Sequence, residues 1–336
     1  MTLALSDIFA ARRTIAGVAD NTPLVPSPHM TRFCGHDFLL KLENMQPIGA
    51  FKLRGALNAV MRLPEGVTGV TCCSTGNHGR GVAYAAARRG MRGVICMSNL
   101  VPQTKIDGIK ALGAEVRICG TSQDDAQAES ERLVKAEGLA EISPFDDPHV
   151  IAGQGTIGLE ICEARPDLHT LLVPLSGGGL AAGVAVAAKA INPRIRVVGI
   201  TMDRGAAMYE SIKAGKPVEV PELPSLADSL GGGIGLQNKL SFPICRDLLD
   251  DIVLVTEDEI YHAMQVLYYE DRIVAEGACV VGLAAVLNGK VTLTGPTATI
   301  VTGRNLDMEI FTRIVTGQSV QLGDATLPGK PYAGLT

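Results

Sequence analysis

Short runs of apolar, β-branched residues alternate along the chain with longer stretches in which apolar positions recur at helical spacing. The short runs predict strands over Val67–Cys73, Gly93–Met97, Ala114–Cys119, Leu171–Leu175, Arg196–Thr201, Ile252–Thr256 and Thr297–Thr302. The longer stretches predict helices over Gly79–Arg89, Pro102–Leu112, Asp124–Ala136, Leu180–Ile191 and Glu257–Tyr269. The opening "MTLALSDIFAARRTIAG" predicts an amphipathic helix capped by Ser6 or Asp7. Continuously apolar strands separated by helices belong to an α/β fold with mostly parallel sheets, because helices cover both faces of such strands.

Two of the units resemble each other, "VTCCSTGNHGRGVAYAAA" (Val70–Ala87) and "LLVPLSGGGLAAGVAVAA" (Leu171–Ala188). Each is a strand, a loop of small residues and an Ala-rich helix. Ligands of open α/β sheets sit beyond the carboxyl ends of the strands, so the two loops are expected to wall one cleft.

Composition narrows the class. With 336 residues, 46% of them hydrophobic, the chain can bury a large core as one large or two ordinary domains. A net charge of −5, no Trp and an aromatic content of 4% argue against a nucleic-acid binder, which uses a basic face and stacking platforms. No apolar run reaches the length of a membrane span, and the first residues lack the n-region and cleavage site of a signal peptide. The expected location is therefore the cytoplasm, which suits eight cysteines with no C-x-x-C pair, read as reduced, mostly buried thiols.

Four segments carry candidate chemistry. "SGGGLAAG" (Ser176–Gly183) places glycines before a helix, so backbone N–H groups and the positive helix end can cradle a phosphate. A plain strand-to-helix turn is the simpler reading. No Gly-Lys-Ser/Thr follows, so it is not a P-loop, and its G-x-G-x-x-x-G spacing with Asp203 further on leaves a dinucleotide site as an alternative. "STGNHG" (Ser74–Gly79) can present N–H donors and the Asn77 amide to a carboxylate; His78 is a base or, as the favoured reading, a structural residue. "VTGRN" (Val301–Asn305) ends a strand on the neutral hydroxyl of Thr302 or is a simple turn. Lys52 lies between Phe51 and Leu53 at a helix start; desolvation and the helix dipole both favour its neutral amine, which suits Schiff-base chemistry. A nucleophilic amine, a phosphate cradle, a carboxylate loop and a neutral hydroxyl together describe a pyridoxal phosphate site.

The motifs "KLENMQPIGAFKLRGA" (Lys41–Ala56), "STGNHG", "HVIAGQGTIGLEI" (His149–Ile161), "SGGGLAAG" and "TEDEI" (Thr256–Ile260) resemble those of fold-type II pyridoxal-phosphate enzymes of the serine/threonine dehydratase and serine racemase group. "SLGGGIG", "DRGAAM" and "TGRNLDM" are most similar to the hydroxyectoine-utilisation dehydratases. The resemblance implies a tryptophan-synthase-β-like fold. A large cofactor-binding domain would span 1–68 and 149–336, and a small mobile domain 69–148, with a homodimer as the assembly. It implies that Lys52 carries the cofactor and takes the substrate α-proton, with Phe51 covering the ring. Asn77 would meet the ring hydroxyl, and Ser176, Gly177, Gly178, Gly179 and Leu180 would hold the phosphate. Thr302 would meet the pyridine nitrogen, and Ser74, Thr75, Asn77 and His78 the substrate carboxylate. A hydroxyl cannot keep the pyridine nitrogen protonated as an aspartate would, which favours β-elimination from a 3-hydroxy amino acid, giving an oxo acid and ammonia. Thr75, where the racemases carry a serine that works on the opposite face, leaves racemisation as the alternative. A nicotinamide-dependent oxidoreductase is the alternative of a different class. Ser176, Arg304 and Phe145 also depart from the group's pattern. No metal is expected: Thr201 and Ala207 replace the carboxylates that the racemases use, Gly205 offers only a carbonyl, Asp203 is out of register, and Arg204 brings an opposing charge.

Overall fold

The computed structural model describes residues 3–334 apart from 75, 100 and 102. Among the described residues ten strands build two sheets: β1 (Leu24–Pro26), β2 (Phe38–Lys41), β3 (Gly69–Cys73), β4 (Arg92–Met97), β5 (Glu115–Ile118), β6 (Ala140–Glu141), β7 (Thr170–Pro174), β8 (Arg196–Met202), β9 (Asp251–Val255) and β10 (Thr297–Ile300). The larger sheet has the order β1-β2-β10-β7-β8-β9 and is parallel except for the edge strand β1. The smaller, β5-β4-β3-β6, is wholly parallel. A separate hairpin pairs β11 (Val320–Leu322) with β12 (Ala325–Leu327). Among the described residues no helix is long and apolar enough to cross a membrane.

Successive side chains of a strand face opposite ways, and the buried strands show it. Leu171 and Val173 of β7 pack under the helices Pro148–Ala164 and Gly179–Ile191, whereas Leu172 packs under Glu257–Asp271 and Val281–Leu287 on the other face. In the smaller sheet Val70 and Cys72 face the helices Lys52–Met61 and Asn77–Arg89, while Val94 and Cys96 face Gln123–Glu137.

Each strand expected from the apolar runs is present, with shifted ends. The run ending at Thr302 leaves the sheet after Ile300, because its backbone turns to another partner. Asn44 N–H donates to the Val301 carbonyl at 2.9 Å and Phe51 N–H to the Thr302 carbonyl at 2.9 Å. β1, β2, β6, β11 and β12 are two to four residues long, too short to show a period. The predicted Pro102–Leu112 helix is found as Gln103–Lys110, and Pro102 lies outside the described residues. The first helix, Leu5–Ile15, is not capped by Ser6 or Asp7 as expected. Both lie in its first turn, the cap is Ala4, and the Asp7 carboxylate reaches back to accept from Ala4 N–H at 2.9 Å.

The Lys52–Met61 helix is anchored by a buried charge network. The Arg54 guanidinium grips Glu43 with two bonds of 2.8 Å and Glu160 with bonds of 2.6 and 2.8 Å. Lys41 Nζ donates to Glu160 at 2.6 Å and to the Thr22 carbonyl at 2.6 Å. Burial pushes the Glu43 carboxyl up, but the Arg54 charge and its hydrogen bonds outweigh this and hold it below its usual range. Removing one member of such a network strands the others without compensation. Arg54→Met is therefore expected to cost about 3–5 kcal/mol, read as a lower urea midpoint at unchanged slope, and Arg54→Lys, which keeps the charge but not the fork, is expected to fall between.

Candidate active site

The carboxyl ends of β3, β7 and β10, and the turn after β2, open on one cleft of about 550 Å³. It is lined by Phe51 and Lys52, by Ser74, Asn77 and His78, by Ser176, Gly177, Gly178, Gly179 and Leu180, and by Thr302. Residues singled out from four separate segments thus share one site. Thr75 lies outside the described residues.

Lys52 is the first residue of its helix, with Phe51 at the cap position. Its Nζ lies 5.4 Å from the centre of the Phe51 ring and donates to the Pro144 carbonyl at 2.8 Å. Burial lowers its pKa to about 8, although the residue keeps some exposure along the cleft. The backbone leading into Lys52 is held by the segment that carries Thr302: Ala50 bridges Gly303, and Arg304 N–H donates to the Gly49 carbonyl at 2.9 Å.

The glycine turn is fastened from behind. Ser241 Oγ donates to the Gly177 carbonyl at 2.7 Å and Cys245 Sγ to the Gly178 carbonyl at 3.5 Å. Gly178 has φ +90°, a conformation that glycine adopts without steric penalty, and the helix starts at Gly179. A Cβ at Gly177 would meet the Phe145 ring at 2.2 Å, so the turn and the loop holding Pro144 can pack only without it. The carbonyls are thereby tied away, and the leading N–H groups of the helix have no intrahelical partner. Gly183, the third glycine of the dinucleotide-like spacing, instead serves helix packing: its Cβ would strike the Ile151 carbonyl at 2.3 Å.

His78 is buried, and its Nε2–H donates to the Ile142 carbonyl at 2.7 Å. Burial and the nearby Lys52 charge lower its pKa to about 3, so the ring is neutral. Thr302 Oγ1 is buried 3.2 Å from Cys279 Sγ. Burial pushes the Cys279 thiol up to about 12. Thr302 therefore faces a neutral neighbour.

The sequence reading missed several groups. Glu276 is buried and accepts from Asn77 Nδ2 at 3.0 and 3.1 Å and from Asn305 N–H at 2.8 Å. Burial pushes its carboxyl up. Asn305 Nδ2 donates in turn to Asn77 Oδ1 at 2.7 Å. Cys279, Glu222 and Asp228 were missed as well; Glu222 and Asp228 line the cleft. One signal was present, a carboxylate set in the apolar run "IVAEGACVVGL".

A desolvated amine, a cradle of N–H groups and a buried neutral hydroxyl around one cleft fit pyridoxal phosphate, respectively its aldehyde, phosphate and ring nitrogen. The family model described as "Pyridoxal-phosphate dependent enzyme" matches residues 15–303, and the chain belongs to that family, with pyridoxal phosphate as its cofactor. Within the family it is a threonine-dehydratase-like lyase. A Sinorhizobium fredii protein called "Putative threonine dehydratase" is 54% identical over 94% of this chain and 96% of its own. The L-threonine ammonia-lyase of Thermotoga maritima is 39% identical over 96% of this chain and 80% of its own. Among solved structures, maize serine racemase superposes with a TM-score of 0.88 at 32% identity, covering 93% of this chain and 97% of that one.

Lys52→Ala is expected to abolish covalent attachment of the cofactor, checked by borohydride reduction and peptide mass. Neutral amine is the attacking species, so the rate at which apoenzyme takes up cofactor should rise with pH and level off above about pH 8. A rate independent of pH between 6 and 9 would contradict the assignment.

Proposed function

We propose that the protein eliminates the β-hydroxyl of a 3-hydroxy amino acid, releasing an oxo acid and ammonia. The observation that carries this reading is the pairing of Thr302 with the neutral thiol of Cys279 where a carboxylate would be needed to hold a ring nitrogen protonated. When bound, pyridoxal phosphate supplies an electron sink for charge developing at the substrate α-carbon. A neutral partner at Thr302 limits how far that charge spreads, which favours loss of a β-substituent over transamination. Lys52, with its lowered pKa, accepts the α-proton as a neutral amine. Ser74, Asn77 and His78 receive the substrate carboxylate on a helix N-terminus. Residues 69–148, read as a small mobile domain, close over the cleft and exclude water.

The finer reading is a substrate with a cationic side chain, such as a 3-hydroxy-2,4-diamino acid derived from hydroxyectoine. Two things support it. The motifs "SLGGGIG", "DRGAAM" and "TGRNLDM" resemble the hydroxyectoine-utilisation dehydratases. Glu222 and Asp228 line the cleft, and among the described residues neither forms an ion pair. The reading also includes a cytoplasmic homodimer; Met308 and Ile310, 55% and 39% exposed on one short helix, are apolar surface suited to a partner. It includes no divalent ion, since Arg204 lies beside Asp203 and Glu257, at 4.0 and 3.7 Å.

Steady-state kinetics test the substrate. The diamino acid is expected to exceed threonine and serine in kcat/KM, and Glu222→Gln to narrow the gap by about two- to fivefold, the effect of losing one solvent-exposed charge pair. Equal kcat/KM for all three would remove the cationic reading and leave the elimination. Thr302→Asp should slow elimination and bring in a long-wavelength absorbance; unchanged turnover would remove the role given to Thr302. Turnover should survive exhaustive chelation, and its loss with recovery in magnesium would overturn the metal-free reading.

A further inference from the structure

An amide has a donor end and an acceptor end, and only one of them suits a given partner. The Asn77 side chain lies in the cleft, and its other contacts are with Glu276 and Asn305. The Asn305 Nδ2 group donates to Asn77 Oδ1 at 2.7 Å and to the Ile48 carbonyl at 2.9 Å. A carbonyl only accepts, and Glu276 meets Asn77 Nδ2 with both carboxyl oxygens, at least one of which is a bare acceptor in either protonation state. Reversing the Asn305 amide would set its oxygen against the Ile48 carbonyl. Reversing the Asn77 amide would set its oxygen against the Glu276 carboxylate. The two acceptors at the ends of this chain therefore allow one orientation of both amides, in which an Asn77 N–H remains for the cleft.

Glu276 is itself held in place. Its backbone N–H donates to the Gly303 carbonyl at 3.1 Å, and its Oε1 accepts the Asn305 backbone N–H at 2.8 Å. A Cβ on Gly303 would meet Glu276 Oε1 at 2.4 Å, so the glycine after Thr302 leaves room for this carboxylate. Among the described residues no cation pairs with Glu276, although it is 4% exposed. A buried carboxylate with amide donors in place of a cation carries a desolvation cost that its own burial does not repay.

We propose that Glu276 is a positioning residue, which fixes the Asn77 amide so that its N–H faces the ring oxygen of the bound cofactor. This rests on the reading of Asn77 as the partner of that oxygen. Glu276 need touch neither cofactor nor substrate to act.

The test measures the cofactor and uses no substrate, so its result is independent of which amino acid the enzyme consumes. Holoenzymes of the wild type, Glu276→Gln, Asn77→Ala and the double variant are compared by equilibrium cofactor affinity, by the absorbance maximum of bound cofactor and by thermal unfolding. Glutamine keeps the shape of Glu276 but turns a donor toward Asn77, which cannot accept it without reversing. Glu276→Gln is expected to weaken cofactor binding about ten- to hundredfold, the range for losing a hydrogen bond to a charged group, and to shift the absorbance maximum. If it acts through Asn77, the double variant loses no more than Asn77→Ala alone. Wild-type affinity and spectrum in Glu276→Gln, with both changed in Asn77→Ala, would overturn the proposal alone. Additive losses would do the same. An unchanged Asn77→Ala would overturn the Asn77 reading and the proposal with it. Should Glu276→Gln fail to fold, Asn305→Ala frees the other end of the amide chain. It is expected to give the same loss of affinity and spectral shift, and a wild-type signature there would overturn the proposal.

Discussion

The buried grip of Arg54 on Glu43 and Glu160 is the constraint on which the site depends. Two carboxylates, an arginine and, through Lys41, a lysine meet where water is excluded. Each charge is tolerable only because the others are in place. They come from the end of β2, the turn after it, the Lys52–Met61 helix and the Pro148–Ala164 helix. The start of the Lys52 helix is thereby tied to the turn after β2 and to the Pro148–Ala164 helix, two residues from the amine. A planar guanidinium with a fixed fork suits this task, since it fixes direction as well as distance.

From that anchor the site follows as a set of short ties. Phe51 and Arg304 donate backbone bonds to Thr302 and Gly49, so the start of the Lys52 helix and the strand end that carries Thr302 are tied together. The loop that gives Pro144 to Lys52 also packs Phe145 on the glycine turn, and its Asp146 accepts the N–H groups of Lys239, Leu240 and Ser241. Ser241 then closes the circuit on Gly177. Burial is the first cause of the shifts at Lys52, His78, Cys279 and Glu276, and in each case it favours the neutral form. A cleft built this way limits how much charge its groups can carry, which accords with a chemistry that needs a neutral amine and a weakly polarised ring.

Much of this was legible in the residues. The period of the apolar runs showed strands covered on both faces, because a strand buried on both sides has no polar face to display. Glycine clusters at strand ends marked loops that could carry a ligand, because local backbone freedom is a property of the residue itself. Lys52 stood out by its apolar neighbours. Those features depend on contacts within a turn or two of chain. Short strands such as β2 and β6 escaped notice, since two to four residues hold too few positions to show a period.

What the folded chain alone decided are the partners. Asn77 meets Glu276 across 199 positions of sequence, and Arg54 meets Glu160 across 106. No periodicity links such residues, and a glutamate in an apolar run does not announce which amide it will hold. Gly177 and Gly183 show the same division. Their spacing suggested one ligand site, whereas in the fold one makes room for Phe145 and the other for the Ile151 backbone. The sequence by itself determined the class of fold and the kinds of chemistry available at its loops, because those rest on local pattern. The tertiary structure decided which groups are desolvated, which are paired and which way each amide points, because these depend on neighbours brought together only when the core closes.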